Sequence, residues 1–107
     1  MIVVSTETLT GYRIVETKGL VQGNTIRAKH VGRDIMAGLK NIVGGELKGY
    51  TEMLIEARQQ ATRRMVAEAK ALGGNAVVCV RYSTSMVIQA AAELHVYGTA
   101  VVVERVE

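Results

Sequence analysis

The chain has 107 residues, enough for one domain with a modest core, and we treat residues 1–107 as a single domain. Hydrophobic residues make up 49% of it and aromatic residues only 4%, with no Phe or Trp. This largely aliphatic composition excludes intrinsic disorder as the main state. The formal charge is +3, but 13 basic and 10 acidic side chains are interspersed, so acidic partners are permitted rather than indicated.

Cys79 is the only cysteine, so it cannot form an intrachain disulfide, and a reducing cytoplasm is the expected compartment. The first residues, MIVVSTETLTGYR, lack the features of a secretory signal. No segment has the roughly 18 uninterrupted apolar residues of a membrane span. We therefore expect a cytoplasmic protein with no membrane partner.

The first quarter of the chain predicts β-structure. Met1–Val4 is a short apolar run, typical of a strand or of an arm that contacts a neighbouring subunit. Residues 12–22 alternate loosely and predict a strand with a bend near Gly19. Residues 23–25, Gly-Asn-Thr, predict a turn.

Two helices are predicted next. Apolar residues between positions 35 and 43 recur at helical spacing, and Gly44 and Gly45 would end this short helix. Residues 49–72 predict a long amphipathic helix that ends at Gly73 and Gly74. Its apolar face comprises Tyr50, Met53, Leu54, Ala57, Ala61, Met65, Ala69 and Leu72.

Residues 75–88 and 93–106 are rich in β-branched side chains and predict a hairpin joined through residues 89–92. Both faces of its second strand are apolar, with Leu94, Val96, Ala100 and Val102 on one and Tyr97, Thr99, Val101 and Val103 on the other. Such a strand needs two covering layers, and the long helix supplies one. The short helix or another subunit must cover the second face, so we expect self-association of an α+β domain.

Four sequence blocks carry a family resemblance: RDI at residues 33–35, VGG at 43–45, LGGNAVV at 72–78 and GTAVVVE at 98–104. With them, nearly the whole chain resembles the YbjQ-like family of small bacterial proteins. The resemblance implies a dodecin-like α+β subunit that assembles as a closed ring of five copies, with short extra strands that help to join the subunits. It also implies heavy-metal binding, without a ligand motif that can be transferred to this chain.

Cys79, His95 and His30 are the candidate metal ligands, because soft and borderline metals prefer thiolate and imidazole. Their spacing matches no standard metal site, but copies of Cys79 could converge on a symmetry axis. The structural alternative is a buried thiol, with Val77 and Cys79 on one strand face, and histidines on the surface or hydrogen-bonded in the core. His95 is expected to share a face with Tyr97.

Arg33, Asp34, Gly44 and Gly45 are candidates for a subunit junction or an anion site. Asp34 suits the positive end of a helix dipole, and Arg33 suits a carboxylate or a bound anion. The two glycines suit a helix stop or a backbone anion nest. They match neither a phosphate loop nor a dinucleotide fingerprint.

Catalysis and nucleic-acid binding are not favoured. Cys79 with either histidine would form a nucleophile and base that lack an orienting third group. Nucleic-acid binding would lack Phe or Trp to stack on bases. We therefore predict a non-enzymatic homo-oligomer that binds a ligand at subunit junctions. The alternatives are a heavy-metal binder that uses Cys79 from several subunits and, more weakly, an enzyme of unknown reaction.

Overall fold

A computed structural model describes residues 1–28, 48–88 and 91–106. These residues form a mixed four-stranded sheet and one helix, which confirms the predicted α+β class. The elements are β1 (Ile2–Val3), β2 (Tyr12–Ala28), α1 (Lys48–Ala71), β3 (Ala76–Ile88) and β4 (Ala91–Arg105). Strand order is β1-β3-β4-β2, with β1 parallel to β3 and the other pairs antiparallel. The predicted short helix lies outside the described ranges.

The long helix is confirmed, and α1 ends where the glycines predict. Gly73 has a φ of +87°, a conformation that glycine adopts without a Cβ clash. Its N–H donates to the carbonyl of Lys70 at 3.0 Å, while the N–H of Gly74 donates to the carbonyl of Ala69 at 2.9 Å. This pair of bonds is a Schellman motif. Nowhere in the described ranges is a helix long and apolar enough to cross a bilayer.

One face of α1 packs on β2 and β4 and only marginally on β3. The buried members of the predicted apolar stripe are Met53, Ala57, Ala61, Met65 and Ala69. Leu72 was expected to be buried with them, but it lies beyond the last helical residue and is 45% exposed. The stripe contacts Val21, Leu94, Val96 and Ala100 of the sheet.

β2 is longer than predicted. The predicted turn at residues 23–25 is wrong, because these residues pair with β4 as part of the strand. The predicted bend near Gly19 is confirmed by a φ of +124° and by a shift in pairing with β4 between Thr17 and Gly19. The strand then continues to Ala28. Gly23 does not serve a turn: a Cβ there would collide with the carbonyl oxygen of Ala61 and lie 2.8 Å from the backbone nitrogen of Met65. Its role is to let the helix backbone approach the strand.

The second face of the sheet is covered at one end by the chain's own N-terminal residues. Ala76, Val78, Val101 and Val103 are buried there. Ile2, Val4, Leu9 and Tyr12 pack over them. We expected the short helix or a second subunit to cover this face, and that expectation is wrong at this end of the sheet. β1 pairs with β3 of the same chain.

The close contact at Gly23 makes a first prediction. Gly23→Ala should lower the free energy of unfolding by about 3 kcal/mol, because the added methyl meets helix backbone that cannot rotate away. Gly11→Ala is the matched control: Gly11 has a φ of +83° but no atom within 4 Å of an added Cβ, so it should cost about 1 kcal/mol. Urea unfolding of both variants measures the difference. Equal losses would contradict the close approach.

Candidate functional site

Cys79 lies in a β-bulge and has a strained backbone. Its φ is +57°, which makes it the one residue other than glycine with a positive φ among those the structure describes. The pairing of β3 with β4 shifts between Val78 and Arg81, so Cys79 and Val80 together oppose Gly98. A left-handed conformation costs a residue with a Cβ about 1–2 kcal/mol. The surrounding contacts must therefore hold this conformation in place.

The N-terminal segment supplies two backbone bonds that hold the bulge. The N–H of Cys79 donates to the carbonyl of Thr6 at 3.0 Å, and the N–H of Val80 donates to the carbonyl of Val4 at 3.1 Å. The Cys79 side chain is half-buried and packs beside the cluster under this segment. The thiol is thus neither fully buried nor fully accessible.

The bulge also overturns one expectation from strand alternation. Val77 and Cys79 were predicted to share a face, but the extra residue breaks the period of two. Val77 is buried against α1, whereas Cys79 packs against the cluster on the opposite face. After the bulge, Val80 points to the helix side and Arg81, paired with Tyr97, lies on the other side.

His95 lies on the sheet face that α1 does not cover. Its Nε2 donates to Oε1 of Gln22 at 3.1 Å. Its ring stacks on Tyr97 with centroids 5.5 Å apart and planes inclined by 29°. The prediction that His95 and Tyr97 share a face is confirmed.

Of the candidate metal ligands, the structure describes Cys79 and His95, and it does not bring these two together within one chain. His95 pairs with Ser83, which is four residues beyond Cys79, so the two positions are about 13 Å apart along the sheet. No group of three or more His, Cys, Asp or Glu side chains within the described ranges is placed to hold a metal ion. His30, Arg33, Asp34, Gly44 and Gly45 lie outside those ranges.

The exposed middle of the sheet forms a second surface, which we call the open face. It is polar at its centre, with the exposed apolar side chains of Leu20 and Ile26 on β2 at its two ends. Its other members are Gln22 and Asn24 on β2, Arg81, Ser83 and Ser85 on β3, and Glu93, His95, Tyr97 and Thr99 on β4. Two cross-strand rows lie at its centre. One row is Gln22, Tyr97 and Arg81, and the other is Asn24, His95 and Ser83.

Sequence reasoning missed this row arrangement. Alternation along β4 is enough to place His95 beside Tyr97 on one face. Their neighbours Gln22 and Arg81 follow only from the register of three strands, and bulges shift that register in both β2 and β3. A glycine is the usual sequence signal of a bulge with a positive φ, and the bulge in β3 has Cys79 at that position instead.

The LGGNAVV block has a structural role at the end of the sheet. Asn75 donates from Nδ2 to the carbonyl of Val103 at 3.0 Å and accepts the N–H of Val103 on Oδ1 at 2.7 Å. Its backbone N–H donates to the carbonyl of Val101 at 3.0 Å. The asparagine side chain thus extends the pairing of β3 with β4 by one rung. With the Schellman glycine before it, the block joins helix to sheet.

The backbone strain at Cys79 makes a second prediction. Cys79→Gly should be more stable than Cys79→Ala by about 1 kcal/mol, after allowing for the greater unfolded-state entropy of glycine. Both variants lose the thiol, but alanine keeps the strained backbone. Urea unfolding free energies test the difference. An alanine variant as stable as the glycine variant would contradict a left-handed Cys79.

Comparison with known proteins identifies relatives over the whole described sheet and helix. A family model described as "Putative heavy-metal-binding" matches residues 1–104. A UPF0145 protein of Dehalococcoides mccartyi is 61% identical over 104 residues, which cover 97% of this chain and 100% of that protein. A UPF0145 protein of Thermococcus kodakarensis is 58% identical over 107 residues, covering 100% of this chain and 95% of the relative.

A solved structure shares the fold. It is a protein of unknown function of the DUF74 family from Pediococcus pentosaceus, with a TM-score of 0.59 and 18% sequence identity. The match covers 97% of this chain and 98% of that chain. At this identity the likeness supports the architecture alone.

Proposed function

Because the chain belongs to the YbjQ-like (UPF0145) family, we propose that it functions as a non-enzymatic, cytoplasmic homo-oligomer whose subunits join through their sheet edges and bind a ligand near the junctions. The observation that carries the proposal is the pair of unlike open edges on one sheet. β2 forms one edge along its 17 residues. At the other edge, the bonds from β1 and the residues after it end at Val80. The rest of β3 is thus without a neighbouring strand in the described part of the chain.

Open edges are templates for pairing, because their N–H and C=O groups lack partners in the sheet. β2 also carries large apolar side chains that are exposed, with Leu20 67% and Ile26 63% accessible. Ile14 and Val15 on the same strand are exposed as well. A long edge of this kind is uncommon on a protein that works as a monomer.

The two edges differ, so their pairing would be heterologous. β2 of one subunit would meet β3 of the next, and such a contact repeats until a ring closes. The family resemblance implies five copies in the ring. A closed ring would leave no β2 or β3 edge exposed.

The dimensions of the chain support association too. The Cα radius of gyration is 17.4 Å and the principal extents are 56 × 25 × 16 Å. A compact domain of about 100 residues has a radius of gyration of about 13 Å. The 17 residues of β2 span about 56 Å as a strand and the 24 residues of α1 about 36 Å as a helix, so the strand extends beyond the cover of α1. Burial of that part of β2 by a neighbouring subunit would favour association.

Edge pairing makes a third prediction. Native mass spectrometry should give the wild type as a multiple of the 11.5 kDa chain. The double variant Leu20→Lys, Ile26→Lys should shift to monomer, because lysine on an edge strand opposes pairing. Ile55→Lys is the matched control: Ile55 is 41% exposed and lies on α1 rather than on an edge strand, so the oligomeric mass of this variant should stay that of the wild type. A monomeric wild type, or an oligomeric double variant, would overturn the proposal.

Heavy-metal binding is the second candidate, favoured by the family description and by the half-buried thiol of Cys79. One chain separates Cys79 from His95 by about 13 Å along the sheet. Of the residues that the structure describes, none beside Cys79 completes such a site, so a site that uses Cys79 would draw further ligands from other subunits.

Metal uptake makes a fourth prediction. Wild-type protein loaded with zinc, or with copper(I) under anaerobic conditions, should retain a stoichiometric amount after desalting, because a thiolate shared between subunits suits both ions. Cys79→Ser and Cys79→Gly should both lose it while keeping the oligomeric mass. Elemental analysis measures the bound metal per chain, and native mass spectrometry measures the oligomeric mass of the same samples. Metal retained by either variant would exclude Cys79 as a ligand.

A further inference from the structure

The composition of the open face differs sharply from that of the helix surface. The exposed side of α1 is heavily charged, with Glu52, Glu56, Arg58, Arg63, Arg64, Glu68 and Lys70. The eleven residues of the open face include two with a full charge, Arg81 and Glu93, and two large apolar ones, Leu20 and Ile26. Ser85 donates to the Glu93 carboxylate at 3.4 Å. Solvated sheet faces tolerate Lys and Glu well, whereas binding surfaces are depleted of Lys and Glu and enriched in Tyr and Arg. The open face has the composition of a binding surface.

Two rings provide a stacking surface at its centre. Tyr97 is 39% exposed, and His95 stacks on one side of it. The bond from His95 to Gln22 holds the imidazole in place. Rings ordered in this way offer a planar ligand contact area at a small entropic cost.

Arg81 provides a cationic group next to the rings. It lies directly opposite Tyr97 across the β3–β4 pair. Its two hydrogen bonds, to the carbonyls of Ser5 at 2.8 Å and Val80 at 2.9 Å, both use Nη1. Nε and Nη2 are left over, and these form the edge that binds carboxylate or phosphate in a bidentate manner.

The bulge at Cys79 is the reason that Arg81 lies on the same face as the two rings. Without the extra residue at Cys79, alternation would turn position 81 toward the helix side. Strained residues persist where the surrounding structure determines them, and they concentrate at functional sites. The strain at Cys79 and the composition of the open face are independent observations, and both single out Arg81.

We propose that the open face binds a planar aromatic ligand that carries an anionic group, the chemical class of the nucleoside monophosphates. The ring of the ligand stacks on Tyr97, and its anionic group pairs with Nε and Nη2 of Arg81. The amides of Gln22 and Asn24 face the polar edge of the ligand ring. The site lies within one chain, so the inference goes beyond edge pairing and does not depend on it.

The test uses AMP as the probe, titrated into the untagged wild-type protein by isothermal calorimetry. Tyr97→Leu and Arg81→Met should each weaken AMP binding at least about tenfold, since each removes one of the two main contacts. Tyr82→Leu and Arg63→Met are matched controls, because Tyr82 lies on the helix side of the same sheet and Arg63 on the exposed side of α1. Both controls should bind as the wild type does. Tyr97→Phe keeps the ring and should also bind normally, which separates stacking from a loss of folding.

Fragments of the probe test both halves of the proposed site. Adenosine lacks the anion and ribose 5-phosphate lacks the ring, so each should bind at least about tenfold more weakly than AMP. A 5′-phosphorylated hexanucleotide distinguishes the source of the ligand: affinity equal to that of AMP would fit a strand end, and weaker affinity a free nucleotide. The proposal is overturned by absence of AMP binding at millimolar concentration, by either fragment binding as tightly as AMP, or by Tyr97→Leu binding as well as Tyr82→Leu. Native mass spectra of the same samples report edge pairing separately.

Discussion

The close approach of α1 to β2 is the contact on which the rest of the structure depends. At Gly23 no Cβ separates the strand from the backbone of Ala61, and small residues such as Ala57 and Ala69 continue the contact on either side. A chain without Phe or Trp has few large side chains to fill a gap, and dispersion forces fall steeply with distance. The helix therefore lies against β2 and β4. In the part of the chain that the structure describes, α1 leaves the outer part of β3 uncovered, and the open face lies on the opposite side of the sheet.

The second determining feature is the bulge at Cys79, which sorts the side chains of β3 between two environments. It sends Val80 into the core under α1 and leaves Arg81 beside Tyr97. The opposing Gly98 completes the fit, because a Cβ there would lie 2.7 Å from Cγ1 of Val77. Edge pairing would extend the sheet within its own plane, whereas a ligand on the open face would approach perpendicular to it. The two proposed properties are thus compatible in one assembly.

Much of the fold could be predicted because the relevant signals are local. The spacing of apolar residues predicts α1, and a left-handed Gly73 explains why the helix ends at Ala71. β-Branched runs predict β3 and β4. The prediction failed at residues 23–25, where glycine and asparagine are typical of a turn. There the contact with α1 decides the role of Gly23, and that contact joins residues almost forty positions apart.

For the candidate site, the sequence by itself determined that His95 and Tyr97 share a face, because alternation along one strand is a local property. The sequence also identifies the family, and it limits the thiolate ligands for a soft metal to one cysteine per chain. Only the tertiary structure decided that Cys79 and His95 are held apart and that Arg81 lies beside Tyr97. The physical reason is strand register: one extra residue at a bulge turns every later side chain to the other face, and long-range backbone bonds, rather than local propensity, hold it there.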